Sequence, residues 1–254
     1  MTIPDDAFRH VPQLKGKIAD PATSFYRVTS DSFWSPETFG VTPEVFARNM
    51  VDPADRAASL RETMTGRLSK DLWIFAYGSL MWDPAFHFDE VRFATLKSFQ
   101  RSFCVWIALG RGSPETPGLM LLLDHGGETD GLAFRIPADK LAQESEIIWQ
   151  REMFMFGHLP KFVTIETPQG PLEALTFIVD KESSYYTGQL SLDEAAAAVH
   201  RGTGSLGTTF DYLENLLEHQ KILGIEDQAM SDLLDRASAI AKKEAEAAAH
   251  NRLN

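Results

Sequence analysis

The sequence has one cysteine, no surplus of positive charge and no long apolar run, and each of these features excludes a class of protein. Cys104 is the single cysteine of the sequence, which excludes an internal disulfide and favours a reducing compartment, the cytoplasm. The 36 Asp and Glu residues outnumber the 24 Lys and Arg residues, so the net charge of −12 argues against a nucleic-acid partner. No stretch approaches the length of a transmembrane helix, so we also expect no membrane partner.

Metal and cofactor chemistry also lack sequence support. The seven histidines are scattered, with no H-E-x-x-H or H-x-H pair. Gly202, Gly204 and Gly207 spell GxGxxG, but an Ala-rich helix precedes them instead of a strand. We therefore interpret them as a connection between two helices. Cys104 has no local base that could activate it, so we interpret it as a small buried hydrophobic side chain.

The chain from Asp71 onward predicts an α+β fold. Short β-rich runs follow one another, separated by Gly, Pro and Asp, and one helix is inserted at about residues 138–156. Runs of strands with a single inserted helix favour a mostly antiparallel β-barrel with helices around it. We predict three segments: an N-terminal arm and helices (1–70), a central domain (71–225) and a C-terminal helix (226–254).

The first forty residues show no sustained periodicity. They are rich in Pro, Asp, Ser and Thr, and we expect an extended or partly disordered arm. Two helix starts follow, because Thr42 and Asp52 are each an N-cap residue placed before a proline.

The end of the first predicted strand has an unusual form. Residues 72–77 are apolar throughout, the chain then breaks at Gly78 and Ser79, and it resumes with Leu80. A hairpin turn would have Asn-Gly or Asp-Gly between strands of alternating polarity. We interpret the break as a strand end that presents backbone N–H groups, which can hold a carboxylate or an oxyanion.

The inserted helix carries a carboxylate, Glu152, on an apolar face. At helical spacing that face also holds Leu141, Ile148 and Met155. Burial there would raise the pKa of the carboxyl and make it a better base near neutral pH. The alternative is a structural Glu paired with an Arg of a neighbouring strand, such as Arg101 or Arg135.

Five segments of the chain resemble the ChaC-type, glutathione-specific γ-glutamylcyclotransferases, and the N-terminal arm and helices resemble those of the bacterial members. They are "WIFAYGSLMWDP" at 73–84, "RSFCVWIALGRGSPETPGLMLLL" at 101–123, "GLAFRIP" at 131–137, "WQREM" at 149–153 and "GSLGTTFDYL" at 204–213. The resemblance covers most of the chain from about Asp71 to Leu234, and it implies the γ-glutamylcyclotransferase-like fold.

The resemblance also implies an activity. Glutathione would be cleaved into 5-oxoproline and cysteinylglycine by intramolecular cyclisation, without metal or cofactor. Glu152 would be the general base, and the γ-glutamyl group would lie on the loop from Tyr77 to Leu80. The implied substrate-binding residues are Ile74, Phe75, Ala76, Tyr77, Gly78, Ser79 and Leu80.

The sequence departs from the family pattern at three positions. Ala76 stands where the family usually has Gly, a modest change if the residue stays in the β conformation. Thr209 stands where the family usually has Asn, and we expect its hydroxyl to cap the following helix. His158 stands where related sequences often have Tyr, which affects fine contacts with the substrate.

Two other functions stay open. The same fold could act on other γ-glutamyl amines or dipeptides, or the loop could belong to a non-catalytic module that binds a small acid. Binding alone does not require a base on an apolar helix face. The presence of Glu152 together with an intact "YGSL" therefore argues against the non-catalytic module.

Overall fold

The computed structural model describes residues 3–28 and 33–253. The N-terminal arm packs against other segments of the compact unit that contains it, Met1–Trp34, Met50–Ser102 and Leu122–Ser184. The arm consists of 3-10 turns and one helical turn: Asp5–Phe8, Pro12–Leu14, Pro21–Thr23 and α1 (Phe25–Val28). Ala7 and Leu14 are fully buried, and the N–H of Ala19 donates to the carbonyl of Trp82 at 2.8 Å. The sequence predicts an extended arm over the surface, or a partly disordered one. In its described part the arm forms short turns, and single apolar side chains anchor it without any periodicity. Residues 29–32 of the arm lie outside the described residues.

Both predicted helix starts are confirmed. Three helices follow the arm: α2 (Pro36–Phe39), α3 (Pro43–Asn49) and α4 (Pro53–Met64). At the start of α4, the side chain of Asp52 accepts the N–H of Ala54 at 2.7 Å. At the start of α3, the hydroxyl of Thr42 accepts the N–H of Val45 at 3.3 Å. These side chains satisfy amides that the first helical turn leaves without a partner.

The strands are fewer and longer than the sequence predicts. They are β1 (Leu72–Ala76), β2 (Glu90–Ile107), β3 (Gly118–Ile136), β4 (His158–Ile165) and β5 (Leu172–Val179). The predicted β-rich runs at 91–97 and 101–109 join to form β2, and those at 118–124 and 130–136 join to form β3. Ser98 lies between the first two runs and Gly126 and Gly127 lie between the last two. All three have positive φ, and the strands continue through them.

β1 lies inside the sheet, whose order is β2-β3-β1-β5-β4. It runs antiparallel to β3, with Ala76 opposite Leu132, and parallel to β5, with Ile74 opposite Leu175. A strand covered on both faces has no solvent side, which explains why residues 72–77 show no polar alternation. The sheet is mixed, and its long ladders, β1–β3 and β4–β5, are antiparallel.

The inserted helix, α5 (Leu141–Glu152), is shorter than predicted. It ends at Glu152, and Met155 forms an isolated bridge with Met50 outside the helix. The prediction that Met155 lies on the helix was therefore wrong. Since the helix ends there, Glu152 lies where the chain leaves α5 for β4.

The chain divides into two compact units. One comprises Met1–Trp34, Met50–Ser102 and Leu122–Ser184, and the other comprises Ser35–Asn49, Phe103–Leu121 and Tyr185–Asn254. The second contains α6 (Leu192–Arg201), the hairpin β6 (Thr203–Gly204) and β7 (Gly207–Thr208), α7 (Thr209–Leu223) and α8 (Gln228–Leu253). The three segments bounded at residues 70 and 225 stay a prediction. No helix within 3–28 and 33–253 is both long and apolar enough to cross a membrane.

The glycines of the GxGxxG pattern connect α6 to α7 through the β6–β7 hairpin, as predicted. A Cβ on Gly204 would collide with the carbonyl of Gly112, and Gly207 has φ +102°. Thr208 caps α7, since its hydroxyl accepts the N–H of Asp211 at 2.9 Å. The expectation that Thr209 is the cap was wrong: Thr209 is the first helical residue, and its hydroxyl donates to the carbonyl of Arg111 at 3.0 Å.

Gly131 allows β3 to approach β1 closely. A Cβ at this position would collide with the carbonyl oxygen of Ala76 and lie 3.1 Å from the ring of Phe75. We therefore expect Gly131→Ala to lower the free energy of unfolding by about 1–3 kcal/mol, as overpacking of a core does. Urea denaturation of the variant measures this loss. An unchanged midpoint would mean that β1 and β3 can separate at no cost.

Candidate active site

The loop after β1 presents backbone donors that have no acceptor among the residues that the structure describes. Residues Ser79–Met81 form a 3-10 turn, closed by the N–H of Met81 on the carbonyl of Gly78 at 2.9 Å. Within the described residues, the N–H groups of Gly78, Ser79 and Leu80 donate to no protein acceptor. Unpaired amides of this kind attract an anion. That these amides bind the substrate stays a prediction.

The strand part of the predicted binding set supports this loop. Ile74, Phe75 and Ala76 are fully buried in β1. The carbonyl of Phe75 also accepts the hydroxyl of Thr176 on β5 at 3.0 Å. Ala76 keeps the β conformation, paired with Leu132, as its replacement of glycine requires. These residues fix where the loop begins.

Arg101 holds the loop from β2. Its Nε donates to the carbonyl of Tyr77 at 2.6 Å, and its Nη2 donates to the carbonyl of Asp130. The side chain is buried. The sequence suggested Arg101 only as a partner of Glu152, and this role was missed. The available signal was an arginine next to the apolar run from Phe103 to Ile107.

Glu152 has a carboxyl whose ionisation is disfavoured. Its side chain is 15 % exposed, and this burial raises the pKa of the carboxyl, while Arg151 acts in the opposite direction. The Nε of Arg151 lies 3.2 Å from the Oε1 of Glu152. Arg101 donates to the carbonyl of Tyr77 in the loop, and Arg135 forms an ion pair with Asp89 at 2.9 Å. Neither arginine named in the structural alternative is the partner of Glu152.

Arg151 brings the carboxyl and the loop together. Its Nη2 donates to the hydroxyl of Ser79 at 2.8 Å, and its Nη1 donates to the carbonyl of Asp83. One guanidinium therefore contacts Glu152 on one side and the loop that presents the free amides on the other.

A second carboxylate of α5, Glu144, matches the structural alternative. It is 2 % exposed and forms an ion pair with Arg27 of α1. It also accepts the backbone N–H of His87 at 2.9 Å, and the His87 Nδ1 lies 3.2 Å from its other oxygen. These charge-assisted contacts tie α5 to α1 and to the segment around His87. Glu144 is not among the residues that the sequence predicts as functional.

His158 begins β4. Burial lowers the pKa of its imidazole to about 4, so the ring is neutral near neutral pH. It therefore adds no positive charge to this part of the molecule. Among the described residues, no three His, Cys, Asp or Glu side chains come together as a metal site requires.

The fold is that of a known enzyme class. A crystal structure of a yeast γ-glutamyl cyclotransferase specific to glutathione superposes with a TM-score of 0.61 at 19 % sequence identity. The match covers 67 % of this chain and 99 % of the yeast chain. The predicted α+β, γ-glutamylcyclotransferase-like fold is thereby confirmed.

Sequence comparison gives the family. The model described as "ChaC-like protein" matches residues 72–239, so the chain belongs to the ChaC-like family. The glutathione-specific γ-glutamylcyclotransferase of Escherichia coli K12 is 35 % identical over 218 residues, covering 85 % of this chain and 87 % of the relative. The human glutathione-specific γ-glutamylcyclotransferase 1 is 29 % identical over 171 residues, covering 65 % of this chain and 77 % of the relative.

Proposed function

We propose that the protein degrades glutathione by cyclising its γ-glutamyl group to 5-oxoproline and releasing cysteinylglycine. The family and the names of its relatives support this activity. The free amides of the loop and the disfavoured ionisation of Glu152 supply the two chemical functions that it needs. A cytoplasmic location stays a prediction from the single cysteine.

In the proposed complex, the amides of Gly78, Ser79 and Leu80 bind the α-carboxylate of the γ-glutamyl group. Hydrogen bonds from backbone N–H groups to a carboxylate are charge-assisted and stronger than neutral ones. They also fix the direction of the γ-glutamyl chain, so that its α-nitrogen and γ-carbonyl can approach each other.

The proposed reaction moves two protons, one after the other, from the attacking nitrogen to the leaving amine. Ionised Glu152 takes the first proton from the α-ammonium, and the freed nitrogen attacks the γ-carbonyl carbon to form the ring C–N bond. Protonated Glu152 gives this proton to the leaving nitrogen as the amide C–N bond to the cysteine breaks. The ring nitrogen then loses its second proton to Glu152, which passes it to the released amine and is ionised again. A carboxyl with a raised pKa suits both steps, because it accepts and returns a proton near neutral pH.

The observation that carries the proposal is the position of Arg151. Its guanidinium lies 3.2 Å from the Glu152 carboxyl and 2.8 Å from the hydroxyl of Ser79. A substrate whose carboxylate lies on the loop therefore has its α-ammonium in the neighbourhood of the base.

The test is to incubate purified protein with glutathione and, separately, with γ-glutamyl-alanine, and to measure 5-oxoproline. Release from glutathione, with little from the dipeptide, supports the proposal. Release from γ-glutamyl-alanine at an equal or higher rate would assign a broader γ-glutamyl substrate. Binding of glutathione without any product would assign a non-catalytic acid-binding module.

We expect activity to survive both EDTA and the substitution Cys104→Ala. The proposed reaction uses neither a metal nor a thiol, and Cys104 is buried in β2. Turnover per folded molecule, measured with and without chelator, checks this. Loss of most turnover in either case would indicate a metal-dependent or a cysteine-dependent mechanism.

A further inference from the structure

The N-terminal arm reaches the candidate active site through Tyr26. The Arg151 guanidinium carbon lies 4.4 Å from the centroid of the Tyr26 ring. Tyr26 in turn stacks on Trp34 with ring centroids 6.2 Å apart, and Trp34 packs on Phe154 at 5.0 Å. Tyr26 lies outside residues 72–239, the segment that the family model matches. A part of the chain outside the matched segment therefore contacts an arginine that touches the proposed base.

Arg151 lies between two carboxylates. Its Nε faces Glu152 at 3.2 Å, and its Nη1 is 3.8 Å from the Oδ1 of Asp83. Its side chain is only 3 % exposed. Besides these carboxylates, it contacts the neutral groups of Ser79 and Tyr26. It is thus a buried cation that contacts the base, the loop, the arm and Asp83.

We propose that Arg151, held in place by the ring of Tyr26, is a positioning residue that fixes Glu152 relative to the loop. This inference rests on the proposed function, because it concerns the base and the loop named there. The planar guanidinium can make directed contacts to Ser79, Asp83 and Glu152 at once, which the single ammonium of a lysine cannot reproduce. An aromatic face over the guanidinium restricts its rotation and stabilises its charge.

The cation has a second effect, on the ionisation of the base. Burial raises the pKa of the Glu152 carboxyl, and Arg151 lowers it. Removing the positive charge would move that pKa further upward and leave Asp83 without its neighbouring cation. Less Glu152 would then be ionised at neutral pH. The acid limb of the pH–activity profile, along which the activity rises with pH, would therefore move to higher pH.

The experiment compares kcat, KM and the pH profile for glutathione among full-length variants. We expect Arg151→Gln to move the acid limb upward and, at pH values well below the midpoint of that limb, to lower turnover by about tenfold for each pH unit moved. Arg151→Lys keeps the charge, so it should keep the limb while lowering kcat. Tyr26→Leu should lower kcat by about two- to tenfold, as the loss of a cation–π contact would, with a smaller change in KM.

A second arginine and aromatic pair provides the controls. Arg92 lies 4.6 Å from the centroid of the Trp73 ring and pairs with Glu90 at 2.5 Å. Arg92→Gln and Trp73→Leu should lower the melting temperature but leave the acid limb and the turnover per folded molecule unchanged. These controls separate a general loss of stability from an effect on the base.

The outcomes are distinguishable from those of the proposed function. If Glu152→Gln is inactive while Arg151→Gln, Arg151→Lys and Tyr26→Leu keep the wild-type profile and kcat, the positioning role is wrong and the base assignment stands. If Glu152→Gln remains active, the base assignment fails and the positioning role fails with it. Should Arg151→Gln not fold, Arg151→Lys and Tyr26→Leu decide the question, since a normal kcat in both would overturn it.

Discussion

Glu152→Gln is expected to lower the turnover of glutathione by about 10²–10⁴-fold, the usual cost of losing a general base. An α-ammonium cannot attack a carbonyl until it loses a proton, and the γ-carbonyl is an unactivated amide. Glutamine keeps the shape of the side chain but cannot accept the proton. Binding should persist, because the loop amides of Gly78, Ser79 and Leu80 are unchanged.

Two other glutamates of α5 provide matched controls for this substitution. Glu146 is exposed, so Glu146→Gln should behave as the wild type. Glu144 is buried and paired with Arg27, so Glu144→Gln should lower the melting temperature and change turnover per folded molecule little. A Glu152→Gln variant that resembled Glu144→Gln, destabilised but active, would make Glu152 a structural residue.

Gly78→Val is expected to abolish most of the binding of glutathione. A branched side chain on the loop would obstruct the approach of the substrate to the backbone amides. Each lost hydrogen bond to a charged group costs about 1.5–3 kcal/mol, so the affinity should fall by at least about tenfold. Gly78→Ala should give a smaller loss, because its side chain is a single methyl group.

The binding measurement is made without turnover. Glutathione is titrated calorimetrically into Glu152→Gln and into the double variant Glu152→Gln/Gly78→Val, and circular dichroism checks that both are folded. Equal affinity in the two folded proteins would place the carboxylate site elsewhere than on the loop.

The position of β1 and its loop could be predicted from the sequence because both follow local rules. A strand buried on both faces loses its polar alternation, and a glycine after it marks where the backbone leaves the sheet. The caps at Thr42 and Asp52 are equally local, since each side chain bonds an amide two or three residues further on. Local rules of this kind need no knowledge of the tertiary structure.

The end of α5 and the partner of Glu152 could not be predicted in the same way. Helical spacing alone predicts that α5 continues to Met155, whereas α5 ends at Glu152 with Met153 as its C-cap, and Met155 pairs with the distant residue Met50. Candidate partners for Glu152 were sought on strands, whereas the arginine found is its chain neighbour, held by contacts to distant residues. The sequence suggested Glu152 as the partner of Arg101, which was wrong for the same reason. Arg101 lies on β2 and donates to the carbonyl of Tyr77 in the loop after β1, so the two residues meet only in the folded chain.

The N-terminal arm shows a different limit of sequence reasoning. Its short 3-10 turns, two of them begun by proline, have no repeating period, so the pattern resembles that of a disordered segment. Its burial depends on single anchors such as Phe8, whose ring packs edge-to-face on Phe88 at 6.2 Å. Contacts of this kind depend on the folded surface that receives them.

The central claim, that Glu152 is the general base, is tested most directly by the pH dependence of kcat for 5-oxoproline formation. Because burial raises the pKa of this carboxyl, the rate should increase with pH along a limb that lies above the ordinary carboxyl range. The residual rate of Glu152→Gln should lack that limb. The same limb in Glu152→Gln, or a wild-type limb in the ordinary carboxyl range, would contradict the assignment.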